Sequence, residues 1–144
     1  MKNNNTQLIS ITDTSGRYIY VNNHFCEQSG FSEEQLLTMS RESMLADNIP
    51  QQVLTELNST LKQGLSWKGV IGLKTQQGQN IWLDAFVTPQ YENGKIVGYQ
   101  SISTFAEQSL QNKAKKVYKA LKDQQSLAIF ELSKNHKFLF LVVL

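Results

Sequence analysis

Five stretches of strand-like pattern, bounded by turn signals, are interrupted after the second by a segment in which apolar positions recur with a helical period. Gln7–Thr12 and Tyr18–Val21 are β-branched and aromatic runs separated by Asp13-Thr14-Ser15-Gly16, which predicts a hairpin. Three longer strands follow at about Ser66–Thr75, Asn80–Pro89 and Lys95–Thr104. The first pair is joined by Gln76-Gln77-Gly78-Gln79 and the second by Glu92-Asn93-Gly94; Asn-Gly is a strong hairpin signal because both residues tolerate positive φ.

A helical insert separates the second and third strands. Phe31-Ser32-Glu33-Glu34-Gln35-Leu36 predicts a capped helix start, with Ser32 and Gln35 exchanging hydrogen bonds and Phe31 stapled against Leu36. Gly30 closes a short helix before it, and Pro50 suits the first turn of the next. In that longer helix Val53, Leu54, Leu57 and Leu61 share one face, and Gly64 ends it. The order ββ, helices, βββ predicts an α+β fold: a five-stranded antiparallel sheet with short helices over one face. A further helix is expected over Glu107–Lys122. Its Leu110, Ala114, Val117 and Leu121 are spaced as the seam of a coiled coil, and the expectation is a homodimer.

Charge changes along with pattern. Residues 1–106 hold seven basic and nine acidic side chains, whereas residues 107–144 hold seven lysines against three acids. We therefore divide the chain into a domain over 6–105, a linker helix over 106–124 and a segment over 125–144. Phe138–Leu144 is apolar throughout and follows Lys134 and Lys137, as at the cytoplasmic start of a membrane-spanning helix continuing beyond this chain; an edge strand is the other reading. No charged-then-apolar stretch resembling a secretory signal opens the chain. Cys26 is the only cysteine of 144 residues, which excludes a disulfide framework and a cysteine zinc cluster. A net charge of +2 gives no argument for nucleic acid, and the lysines of 113–122 read as a solvated helix face.

The string Ile11-Thr12-Asp13, Gly16 to Phe25, and Ser29-Gly30-Phe31-Ser32 resembles the opening of a PAS domain. Trp67-Lys68-Gly69, Gly78, Trp82, Thr88-Pro89 and Asn93 to Tyr99 extend the resemblance through the second half, so that it spans about residues 6–123. Within that superfamily the chain is similar to the N-terminal PAS domains of bacterial aerotaxis receptors and related methyl-accepting chemotaxis proteins. This implies a signal-transducing sensor with a small pocket between sheet and helices, in the cytoplasmic part of an inner-membrane receptor whose remaining parts lie outside this chain. In that subgroup the pocket holds FAD, and the resemblance assigns Trp67 and Asn22 to cofactor binding. Two positions depart from the flavin-binding pattern. Leu45-Ala46-Asp47-Asn48-Ile49-Pro50 stands in place of a segment with a basic pair, and Leu73 in place of an asparagine. A leucine offers a flavin ring no hydrogen bond, so the ligand is left open between FAD and another small molecule.

Other candidates have plainer readings. Trp82 reads as core, Asn22 also as a helix cap, and His24 as a surface residue without a second ligand at metal spacing. No histidine occurs in residues 25–135 to hold a haem, and Cys26 lacks the motif of a photoactive cysteine. Asp84 has no partner carboxylate and is expected to face solvent. No catalytic constellation is present, and the expectation is a non-enzymatic module. The alternative to a ligand sensor is a ligand-free PAS interaction module, for example of a histidine kinase.

Overall fold

The structure, a computed structural model, describes residues 6–123. Strand β1 (Leu8–Asp13) turns into β2 (Tyr18–Val21) through a loop organised by Asp13. Its Oδ1 accepts from the Ser15 amide at 2.9 Å, the Ser15 hydroxyl at 2.6 Å and the Arg17 amide at 3.0 Å. Short helices α1 (Asn23–Ser29), α2 (Glu33–Leu36) and α3 (Arg41–Met44) follow, then α4 (Gln51–Lys62). The expected Ser32–Gln35 capping box is present, and Gly30 closes α1 in the left-handed conformation. Pro50 stands one place before the first turn of α4 rather than within it. Helix α3 is an addition to the sequence-based expectation; its start is marked by Ser40, whose side chain accepts from the Ser43 amide.

Strands β3 (Trp67–Lys74), β4 (Asn80–Glu92) and β5 (Lys95–Phe105) complete an antiparallel sheet of order β2-β1-β5-β4-β3. The two-residue turn between Glu92 and Lys95 has Asn93 at φ 50° and Gly94 at φ 76°, as a tight hairpin requires. The first and last strands thus pair at the centre, and β2 and β3 form the two edges.

Register decides which side chains face the helices. Trp67 pairs with Val87, Ile71 with Leu83 and Leu73 with Ile81, so these line the inner face. There they join Leu36, Met44, Val53, Leu57 and Leu61 from the helices in one buried core. Val70, Gly72, Trp82 and Asp84 fall on the opposite face.

Helix α5 (Gln108–Lys122) covers the β3 end of that outer face. Ala114, Val117, Tyr118 and Leu121 are buried against their own domain. This corrects the coiled-coil expectation. The 4-3-4 spacing is that of any amphipathic helix laid on a surface, and three of its four seam residues are consumed within the chain. Trp82 packs as expected, its ring 6.2 Å from that of Tyr118 and 5.3 Å from the Lys115 Nζ. The five lysines of α5 lie on its exposed face, as read from the sequence. Among the described residues no helix is long and apolar enough to cross a membrane. The apolar run Phe138–Leu144 lies outside them.

Gly98 sits where β5 passes β1, and a Cβ there would overlap the Thr12 carbonyl oxygen. Backbone cannot rotate away as a side chain can. Gly98→Ala should therefore lower stability by about 2 kcal/mol or more, read as a reduced urea midpoint at unchanged slope.

Candidate functional site

Between the inner sheet face and the helices lies a cavity of about 40 Å³. Leu45, Leu57, Ile71, Leu73 and Leu83 form its apolar walls, and Ser10, Ser101 and Ser103 from the central strands supply hydroxyls. The Ser101 and Ser103 hydroxyls stand 3.2 Å apart. On the same face of β1, the Thr12 hydroxyl is buried without a partner. Outside this cavity, a solvent-open groove of about 180 Å³ runs between the Asp13–Arg17 turn, α3 and α4. Arg41 lines both spaces.

Arg41 is held at both ends. Its amide donates to the Gly16 carbonyl at 2.8 Å, and Nη2 donates to Asn58 Oδ1 at 3.0 Å. Nε is buried and has no hydrogen-bond partner. Burial draws the Arg41 pKa below its ordinary value, opposed by Tyr18, Glu42 and Tyr99. A guanidinium nevertheless stays charged in proteins at neutral pH. Tyr18, buried beside it, has its phenol pKa pushed up by desolvation, with Arg41 acting in the opposite direction.

The two residues assigned from the resemblance are not brought together. They lie toward the two edge strands, β2 and β3. Trp67 is buried at the start of β3, with its ring folded over Gly69 and its indole Nε1 without a partner; it is not among the cavity-lining residues. Asn22 caps α1 by accepting from the Phe25 amide at 3.0 Å. The same oxygen accepts from the Ile9 amide at 3.1 Å, and its Nδ2 donates to the Gln7 carbonyl at 3.0 Å. Both lone pairs of that oxygen are engaged in holding β1, β2 and α1 together.

The lining does not fit a flavin. By the yardstick of roughly 10–15 Å³ for one water, the cavity takes about three such groups, far fewer than three fused rings. Leu73 stands in the cavity wall and offers a flavin ring no hydrogen bond. The departing segment is also committed elsewhere. Ala46 donates to the Gly72 carbonyl at 2.8 Å, and the Asp47 carboxylate pairs with Lys74 at 2.9 Å. His24 is exposed and lies 3.5 Å from Glu27, and the described residues contain no cluster of three metal-ligating side chains.

Asp84 departs from expectation. It is half-buried on the outer face between Val70 and Thr104, with Oδ1 enclosed and unpartnered. Desolvation pushes its pKa up, and Lys68 partly opposes this. A run read in isolation as solvent-facing is instead half enclosed, because β4 lies inside the sheet.

The PAS fold family matches residues 18–103. The chain belongs to the PAS family. It is 29% identical over 116 residues to the aerotaxis receptor of Escherichia coli K12, covering 81% of this chain and 23% of the receptor. With a nitrogen fixation regulatory protein of Klebsiella oxytoca it shares 31% identity over 111 residues, 72% of this chain and 22% of that protein. This PAS chain therefore spans less than a quarter of the length of either relative. A PAS domain from Colwellia psychrerythraea superposes with a TM-score of 0.63 at 25% identity, covering 69% of this chain and 86% of that one. The blue-light photoreceptor Aureochrome1 LOV in its light state gives 0.66 at 19% identity, covering 85% and 94%.

Arg41 and the inner hydroxyls were not singled out by sequence reasoning. The available signal was an inverted alternation: in Leu8–Thr12 and Ser101–Ser103 the isoleucines face outward, and the small hydroxyl residues face the core.

Two outcomes follow. Asn22→Ala should cost about 2 kcal/mol in urea unfolding, since it removes a cap and strands the Ile9 amide. For Asp84, the folded carboxyl holds its proton to higher pH than the unfolded one, so stability should fall as pH rises through the window just above 3.8. Asp84→Asn should lack that fall: it should be the more stable form at pH 7, with the gap closing as pH drops toward 3.8 in parallel denaturation series.

Proposed function

We propose that this PAS domain is the sensory input of a chemotaxis- or aerotaxis-type transducer, and that it reads a small ligand through the inner cavity. One observation carries the reading. Strand β3 places Ile71 and Leu73 in the cavity wall, and between them and Trp67 the carbonyl of Val70 accepts from the Tyr118 hydroxyl of α5. A change of packing on one face of β3 thus reaches the helix on the other through a single strand. Burial pushes the Tyr118 phenol pKa up, so it stays a neutral donor across the physiological range. The similarity to the aerotaxis receptor supports a cytoplasmic position in a membrane receptor, with α5 leading toward the output parts. It also supports a homodimer, formed through surfaces other than the buried seam of α5. Neither an enzymatic role nor nucleic-acid binding is part of this reading.

The small cavity favours a second reading: a module whose pocket is filled by its own side chains and which serves protein association. Tyr20 and Phe86, exposed on the outer sheet face, fit that role.

Ala85→Leu separates the two by filling the cavity without any ligand. If the cavity is the sensing volume, hydrogen exchange of the α5 amides should rise by about tenfold, while β1 and β5 keep their protection. An α5 that exchanges as in the parent, in a protein that remains folded, would sink the sensing reading and leave the association module.

A further inference from the structure

We propose that Arg41 is the anchor of a ligand site for a small monocarboxylate, with its anionic end on the guanidinium and a short apolar end in the inner cavity. This rests on the sensing reading above and names the ligand class.

An arginine carries five donors in a planar fork, and a carboxylate meets two of them at once. Asn58 takes one donor on Nη2, and a neutral amide does not balance the charge. Nε is buried and unpartnered, a donor whose desolvation is offset only when an acceptor arrives. Among the described residues no carboxylate forms an ion pair with Arg41; Glu42 follows it in the chain without closing one. The groove outside Arg41 adds Lys62 as a second cation, and Glu42 is the single acid in its lining. With Arg41 counted, two cations face one acid, so the groove as a whole favours an anion, and the guanidinium supplies the excess charge.

Beyond Arg41 the chemistry changes. The cavity is walled by leucine and isoleucine, and its hydroxyls lie on the far central strands. Its 40 Å³ accept roughly three non-hydrogen atoms by the water yardstick. Because Arg41 lines both spaces, a head that needs charge and a tail that avoids water find adjoining surroundings. A longer tail would exceed the cavity's volume, and an amine would be repelled by Arg41 and Lys62.

The test uses the 144-residue chain and two probes of the same shape, sodium butyrate and neutral butyramide, followed by amide chemical shifts at constant ionic strength. Butyrate should shift the amides of Arg41, Ser101 and Ser103 saturably, with an apparent Kd at least about tenfold below that of butyramide. Arg41→Gln should abolish the preference. Arg41→Lys keeps the charge but loses the fork, so it should retain a preference weaker than wild type; dispersed amide spectra establish that each variant is folded. Should Arg41→Gln not fold, Arg41→Lys and the two-probe comparison on the parent still decide. Equal binding of both probes, a preference that survives Arg41→Gln, or the same shifts from sodium chloride would overturn the anchor. No saturable shift with either probe would overturn it too. The sensing reading is then judged separately by Ala85→Leu, which needs no ligand.

Discussion

The arrangement depends on how the free edge of β3 is closed. In an antiparallel pair alternate residues turn their amide and carbonyl groups away from the neighbour, and at an edge those groups face nothing. Here the Val70 carbonyl accepts from Tyr118, and the Gly72 carbonyl accepts from the Ala46 amide. One donor comes from α5 and the other from the loop ahead of α4. The edge strand is therefore the junction where the helical insert, the sheet and the terminal helix meet. The Asp47 region ties the same corner again, because its carboxylate holds Lys74 and its carbonyl accepts from Lys122 at 3.0 Å.

Much of this fold was legible in the chain because it is written in local chemistry. Strand limits followed from β-branched and aromatic runs and from turns such as Asn93-Gly94, whose backbone needs are specific to a few residue types. The Ser32–Gln35 box was readable for the same reason. What escaped was contact across the sheet. Asp84 looked like a solvated strand residue because nothing within a few positions shows that β3 and β5 will flank it. The seam of α5 was visible, but not its partner, since a stripe of apolar residues fits a second helix or a sheet equally well.

The site was less legible than the fold. Trp67 and Asn22 drew notice as residue types at familiar positions, yet Asn22 spends both lone pairs of its amide oxygen on backbone amides, and Trp67 covers Gly69 away from the cavity lining. Arg41 lies in a four-residue helix with no motif around it. Its place arises from three distant partners: Gly16 behind, Asn58 across, and the inner sheet face beyond. Spacing along a chain does not encode such a meeting; only the assembled topology does.

The Trp67 ring occupies the volume that a Cβ at position 69 would claim. These two residues are therefore coupled in space. A methyl group gained at 69 would press on the indole unless the ring turned aside in its buried site or 67 had first shrunk, whereas shrinking 67 first would leave a hollow beside a bare backbone. Each single step is costly, so exchange of the pair is favoured only when both positions change together, and descendants of this chain should carry them as one linked unit.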